Sequence, residues 1–296
     1  MAREKFGVSP ALTTPFGENG GIDVARLSAH IDDLLGRGCN SVTLFGTTGE
    51  GPSVGVEERD RVAARIVASG VPASQLIEGV IASSLEEAAE GTGRALRRGS
   101  RAVLLAPPFY FRAAPDEAVF AWFEQVFARV GAGLRDVILY HIPGMTGAPL
   151  SLALIERVRR AYPGAILGVK DSSAEEAGTM QLVEAHGDTI ILVGDESYLG
   201  RACAAGASGA ISGLANVVPE AIGAVITHGR DDPRVKALVT ELVRRPIVPG
   251  VKALVAHARR DPEWARPRPP LAALDREAAQ ALCARLADFA EPRVIA

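Results

Sequence analysis

The chain has 296 residues, a formal net charge of −3, 48% hydrophobic and 23% charged side chains. Such a length fits one large α/β barrel with an appendage, or two ordinary domains. The balanced charge offers no basic patch, which argues against nucleic acid or an anionic membrane as partner, and no apolar run reaches the length of a membrane span.

The N-terminal stretch, Met1 to Phe6, is charged and lacks the apolar core of a signal peptide. Three widely spaced cysteines, Cys39, Cys203 and Cys283, suit reduced thiols in a cytoplasm. Short apolar runs then alternate with helical patterns along the chain. Strands are predicted within Gly7–Phe16 and over Ser41–Phe45, Leu76–Ile81, Ala102–Ala106, Val137–Ile142, Ala165–Lys170, Ile190–Val193 and Gly209–Ile211. Helices are predicted over Ile22–Arg37, Val56–Ala68, the stretch to Arg98 opened by the capping-box spacing of Ser84 and Glu87, Asp116–Arg129 and Leu150–Ala161. Further helices start near Ala174, contain Ala202–Ala205, and run from about Pro219 to Thr227. Eight strand–helix units imply a parallel sheet closed into a (β/α)8 TIM barrel over residues 1–229. After Asp231 the strands stop. Val235–Arg244, Val248–Arg260 and Arg276–Ala290 read as three helices of a C-terminal appendage spanning 230–296, interrupted by a proline-rich connector, Pro262–Pro270.

The run Ala165-Ile-Leu-Gly-Val-Lys170-Asp-Ser-Ser173 places a lysine at the end of an apolar strand. Among 32 basic residues only Lys5, Lys170, Lys236 and Lys252 are lysines. An amine, unlike a guanidinium, can lose its proton and attack a carbonyl, and desolvation favours that neutral form. On this stretch alone a strand-end lysine reaching for solvent is the commoner reading. The barrel adds weight, because active sites of such barrels lie where strands end. Thr47, Thr48, Tyr110, Tyr140, Lys170, Gly194 and Ile211 all fall at or just after such ends. Lys170 would form a Schiff base, Tyr140 one strand away would carry protons, and the Gly46-Thr47-Thr48-Gly49 turn offers N–H groups and hydroxyls for a carboxylate. Together they suit a 2-oxo acid. Taken singly, Tyr140 more commonly caps a barrel core, and Thr47-Thr48 is more commonly ordinary turn chemistry.

With Gly46-Thr-Thr-Gly-Glu50, Pro107-Pro-Phe-Tyr110, Tyr140-His-Ile-Pro143 followed by Thr146-Gly147, Gly168-Val-Lys-Asp171, Gly194-Asp-Glu196 and Gly209-Ala-Ile-Ser-Gly213, nearly the whole chain resembles the dihydrodipicolinate synthase/N-acetylneuraminate lyase family of class I aldolases and lyases. The resemblance implies Lys170 as the Schiff-base lysine and Tyr140 as the proton relay. It implies Thr47 and Thr48 as carboxylate binders, Thr48 also linking Tyr140 to Tyr110, and Tyr110 reaching into a neighbouring subunit of a homodimer or homotetramer. Gly194, Ile211 and Glu196 then line the substrate, a small 2-oxo acid, with no metal and no cofactor beyond the covalent imine on Lys170. Asp195, Glu196 and Ser197 lie where neuraminate lyases bind substrate hydroxyls.

Two departures shape the expected activity. Members that make dihydrodipicolinate carry an arginine where this chain has Met145, and a thioether cannot pair with a carboxylate. Neuraminate lyases have a Ser-Thr pair where Thr47-Thr48 stands. His141 replaces a common Asn, either as a substrate contact or as an outward-facing strand residue. The leading expectation is a lyase or aldolase acting on pyruvate or a 2-keto-3-deoxy sugar acid, by retro-aldol cleavage or dehydration. The alternatives are 4-hydroxy-tetrahydrodipicolinate (dihydrodipicolinate) synthase and a catalytically silent 2-oxo acid binder. No P-loop, complete dinucleotide fingerprint, Gly-x-Ser-x-Gly elbow or metal-ligand histidine spacing occurs.

Overall fold

Short apolar runs buried on both faces, separated by capped helices, set the architecture. The computed structural model describes residues 5–289. In chain order the elements are β1 (Gly7–Pro10), α1 (Val24–Gly36), β2 (Val42–Leu44), α2 (Val56–Ala68), β3 (Leu76–Val80), α3 (Leu85–Arg98), β4 (Ala102–Leu105) and α4 (Asp116–Val130). There follow β5 (Val137–His141), the one-turn α5 (Pro143–Thr146), α6 (Leu152–Ala161), β6 (Ile166–Asp171), α7 (Glu176–His186), β7 (Ile190–Val193), α8 (Leu199–Ala205), β8 (Gly209–Ser212) and α9 (Pro219–His228). The appendage holds α10 (Pro233–Leu242), α11 (Ile247–Arg259) and α12 (Arg276–Cys283). Polar side chains start several of these helices. Asp23, Ser84, Ser151 and Asp275 each accept a hydrogen bond from a first-turn N–H, satisfying a donor the helix itself leaves unpaired.

All eight strands are parallel, in the order β1-β8-β7-β6-β5-β4-β3-β2. The ring closes between β1 and β2, where Ala11 bridges Thr43 and the Leu12 N–H donates to the Thr43 carbonyl at 2.9 Å. Because side chains alternate across a strand, two cores result. Ala102, Leu104, Ile138, Tyr140, Leu192 and Ile211 fill the barrel interior. Val103, Leu105, Val137, Leu139 and Val169 point outward and pack with the helices in a larger outer core.

The structure adjusts several predicted boundaries. β6 runs one residue past Lys170, since Asp171 pairs with both His141 and Val193. Its helix begins at Glu176, because Asp171 and Ser173 first shape a loop by accepting hydrogen bonds from the N–H groups of Ser173 and Glu175. The last predicted helix ends at Cys283 and tightens into 3-10 turns over Ala284–Phe289; Ala290 lies outside the described residues. The one-turn α5 was absent from the sequence-based expectation, hidden behind Pro143.

Candidate active site

The C-terminal ends of the strands surround a cavity of about 360 Å³. Lys170, Tyr140, Thr47, Thr48, Gly194, Glu196 and Ile211 all line it, so seven of the eight site residues expected from the sequence meet in one place. Tyr140 and Lys170 sit opposite each other in the β5–β6 register. Lys170 Nζ lies 3.4 Å from the Tyr140 hydroxyl and 4.5 Å from the centre of its ring. Both side chains are buried, Lys170 at 5% exposure and Tyr140 at 1%.

The turn after β2 completes this row. Thr47 Oγ1 lies 3.1 Å from the Tyr140 hydroxyl. The threonine touching Tyr140 is therefore Thr47, which corrects the expectation that Thr48 makes this link. Its cause is local backbone geometry. Phe45 and Glu50 bracket the turn in left-handed conformations, φ 54° and 57°, and this bend aims the side chain of Thr47 at β5. Glycine is required beneath the turn: a Cβ on Gly51 or Gly79 would sit 1.9 or 2.4 Å from the Phe45 carbonyl oxygen.

Tyr110 does not line the cavity of its own chain. It is 81% exposed, has φ 81°, and stacks edge-on with Phe111 at 5.3 Å. Such a bulky residue held at positive φ stores strain. His141 also lies apart from the cavity. It follows Tyr140 on β5, so it points outward, with Nδ1 at 3.0–3.1 Å from the carbonyl oxygen and N–H of Leu150. It occupies the outward face of the strand and does not line the cavity. Met145 lines the cavity at 57% exposure.

Just after β7, Glu196 Oε1 accepts from Ser212 Oγ at 2.5 Å and from the Leu214 N–H at 3.4 Å. Burial, aided by the nearby Asp195 charge, pushes the Glu196 carboxyl above the ordinary glutamate range, against the pull of these hydrogen bonds. Among the described residues, Lys170 is the only basic side chain that lines the cavity, whereas Asp195 and Glu196 are acidic. The appendage closes one side with Val239, Leu242, Val243, Ile247 and Val251.

Sequence reasoning missed the support behind β6. Asp171 Oδ1 accepts from the Ser173 N–H at 2.9 Å, and Oδ2 accepts from the Thr179 hydroxyl, which lies 3.1 Å from the Tyr198 hydroxyl. This network fixes the loop that brings Ser172 and Ser173 to the cavity. The Asp-Ser-Ser run was a signal for it, since an Asp accepting from the N–H two residues on is a recognised turn device. Among the described residues no group of three or more His, Cys, Asp or Glu side chains is placed to hold a metal ion.

Fold and site together describe a (β/α)8 enzyme with a buried amine, a phenol and a hydroxyl in one row at the strand ends. The model of the dihydrodipicolinate synthetase family matches residues 4–288. An uncharacterized DapA-like lyase of Chloroflexus aurantiacus is 32% identical over 223 residues, covering 75% of this chain and 74% of that protein. The 4-hydroxy-tetrahydrodipicolinate synthase of Sorangium cellulosum is 31% identical over 221 residues, 74% of this chain and 72% of that one. The crystal structure of dihydrodipicolinate synthase from Agrobacterium tumefaciens superposes with a TM-score of 0.94 at 43% identity, covering 96% of this chain and 99% of that one. The chain belongs to the dihydrodipicolinate synthetase family, and it is a lyase of the class I aldolase type.

Proposed function

We propose that the chain is a Schiff-base-forming lyase acting on pyruvate or on a 2-oxo acid with an uncharged tail, such as a 2-keto-3-deoxy sugar acid. The observation that carries this reading is the row Lys170 Nζ–Tyr140 hydroxyl–Thr47 Oγ1, with spacings of 3.4 and 3.1 Å at the cavity floor.

The Lys170 amine attacks the C2 carbonyl, and loss of water from the carbinolamine leaves the imine. Tyr140 is placed to give and take the protons of these steps, and Thr47 orients its hydroxyl. The substrate carboxylate rests on the N–H groups and hydroxyls of the Thr47–Thr48 turn. From the imine, cleavage of the C3–C4 bond passes its electron pair into the enamine and the C4 hydroxyl proton to Tyr140, releasing an aldehyde. In the dehydration branch Tyr140 takes the C3 proton and returns it to the departing C4 hydroxyl, which leaves as water. The lack, among the described residues, of any lining basic group other than Lys170 supports a neutral tail. We propose further that exposed Tyr110 completes the site of a second copy in a homodimer or homotetramer.

Dihydrodipicolinate synthesis is a second reading, favoured by the named activities of the relatives from Sorangium and Agrobacterium. Met145 argues against it, because the cavity then lacks a cation for a second acidic substrate. The deciding experiment incubates the protein with pyruvate and borohydride and maps the modified peptide by mass. A reduced adduct on Lys170 is the expected result. An intact, folded protein with no adduct from pyruvate or other 2-oxo acids would leave a silent binder. An adduct followed by turnover with aspartate semialdehyde, but not with neutral aldehydes, would favour the synthase.

A further inference from the structure

Lys252 is the most deeply buried of the chain's lysines, with no exposed surface. It sits in α11 inside a run, from Val248 to Val255, in which every residue is buried. Nothing about packing calls for an ammonium there. Burying an ion pair is costly, and apolar side chains of similar volume often serve stability as well or better.

What Lys252 touches is the catalytic turn. Its Nζ lies 2.8 Å from Glu50 Oε1, whose side chain is also wholly buried, and donates a directed hydrogen bond to the Thr14 carbonyl. The other Glu50 oxygen accepts from the Arg268 N–H at 2.8 Å. Thr14 in turn donates to the Gly49 carbonyl at 2.6 Å. Three segments distant in sequence thus grip the last residues of the Gly46–Gly51 turn. Glu50 is held at φ 57°, a conformation non-glycine residues avoid, and its N–H donates to the Thr47 carbonyl at 3.0 Å. A left-handed glutamate directly linked to Thr47 persists because its surroundings over-determine it.

We propose that Lys252 and Glu50 are positioning residues: their ion pair holds the Thr47–Thr48 turn where Thr47 reaches Tyr140 and where the turn receives a substrate carboxylate. This rests on the reading of Lys170 as the imine-forming amine. Neither Lys252 nor Glu50 lines the cavity, although Val251, beside Lys252, does. The appendage therefore contributes to the site twice, as a wall through Val251 and as an anchor through Lys252.

The test compares the wild type with Lys252→Met, the double variant Glu50→Gln/Lys252→Met, and Leu254→Ala. Lys252→Met leaves an unpaired buried carboxylate and is liable to misfold; the double variant removes both charges and keeps the test open. Leu254 is equally buried on α11 but does not line the cavity, so its truncation costs stability without touching the turn. Two quantities are read: the pyruvate dependence of borohydride trapping, and the calorimetric affinity for pyruvate. In the folded double variant the half-saturating pyruvate concentration rises about 10-fold or more and the affinity falls in parallel, in keeping with the cost of misplacing a binding group. Leu254→Ala lowers Tm but leaves both readouts near wild type. A folded double variant within about two-fold of wild type in both would overturn the proposal. So would an equal loss in Leu254→Ala, which would mean general loosening. A wild type that binds pyruvate without forming an adduct sinks the imine reading alone, since affinity still reports on the turn. A wild type that binds no pyruvate sinks both.

Discussion

Tyr140 and Lys170 occupy the same register position on the neighbouring parallel strands β5 and β6. Their separation is therefore set by the backbone ladder, not by a flexible loop. Parallel strands lie about 4.8 Å apart, and two long interior side chains leaning toward the strand ends meet at 3.4 Å. The next pair in register, His141 and Asp171, points to the opposite face, where it shapes loops. One ladder thus supplies both the Lys170–Tyr140 pair at the cavity and the supports behind it.

If Tyr140 moves protons while Lys170 holds the substrate, the two steps separate by mutation. Tyr140→Phe keeps the ring that packs beside the amine but removes the hydroxyl. It is expected to be trapped by borohydride on Lys170 still, while turnover falls by about 10²–10⁴-fold, the range for losing a positioned acid–base group. Single-turnover trapping alongside steady-state rates checks this. An undiminished turnover would remove Tyr140 from the proton path.

The two threonines of the turn are predicted to differ. Thr47→Val loses the 3.1 Å contact with the Tyr140 hydroxyl, so kcat falls, by roughly fivefold for one hydrogen bond of about 1 kcal/mol. Thr48→Val keeps that contact, and its effect falls on KM for the 2-oxo acid. Equal kcat losses in both variants would mean that either threonine can serve Tyr140.

Stability should depend on pH through His30. Its ring is 1% exposed, 3.1 Å from Asn216 Oδ1 through Nε2, and its Nδ1 accepts from Arg259 at 2.7 Å. Desolvation, with the Arg259 charge, lowers its pKa to about 4. Between about pH 6.5 and 4 the unfolded chain takes up a proton that the folded ring refuses. Stability is full above that window and falls with acidification by up to about 1.4 kcal/mol per pH unit. Chemical denaturation across the window checks it: His30→Gln removes this component of the slope. Glu196 acts in the other sense, because its carboxyl is raised. Its contribution is complete below the ordinary glutamate range and fades as pH rises through the folded value, and Glu196→Gln abolishes that loss.

Substrate charge is the property most open to redesign. Met145→Arg would place a guanidinium at a half-exposed position on the cavity wall. A partly solvated ion pair contributes about 0.2–1 kcal/mol. KM for a 2-oxo acid carrying a second carboxylate should therefore fall by about 1.4- to fivefold, with pyruvate unchanged. Equal effects on both substrates would place residue 145 away from the tail.

The barrel was readable because each strand is a short apolar run between turn signals, and burial on both faces leaves little ambiguity of type. Ile190–Val193 and Val56–Ala68 match their predicted limits for that reason. Lys170 and Tyr140 were readable because a strand end fixes position and β5 and β6 are neighbours. The roles of Thr47 and Thr48 were not, since adjacent turn residues are told apart only by the left-handed bends at Phe45 and Glu50. Lys252 falls within the helix predicted over Val248–Arg260, and that prediction carries no role for it. A lysine within an otherwise apolar run was the available signal, but its partner stands 202 positions earlier, between Gly49 and Gly51, and no local pattern connects them.

The division suggested by element type, eight strand–helix units followed by helices, does not coincide with the division of labour. Val239, Leu242, Val243, Ile247 and Val251 wall the cavity from the helical tail, and the counter-ion of Glu50 comes from that same tail. Recombination between relatives at the seam after α9 would thus pair one parent's turn with the other's anchor. Chimeras joined there should inherit a mismatch at the catalytic floor unless both parents carry the Glu50–Lys252 pair. The smallest exchangeable unit is the barrel together with its tail.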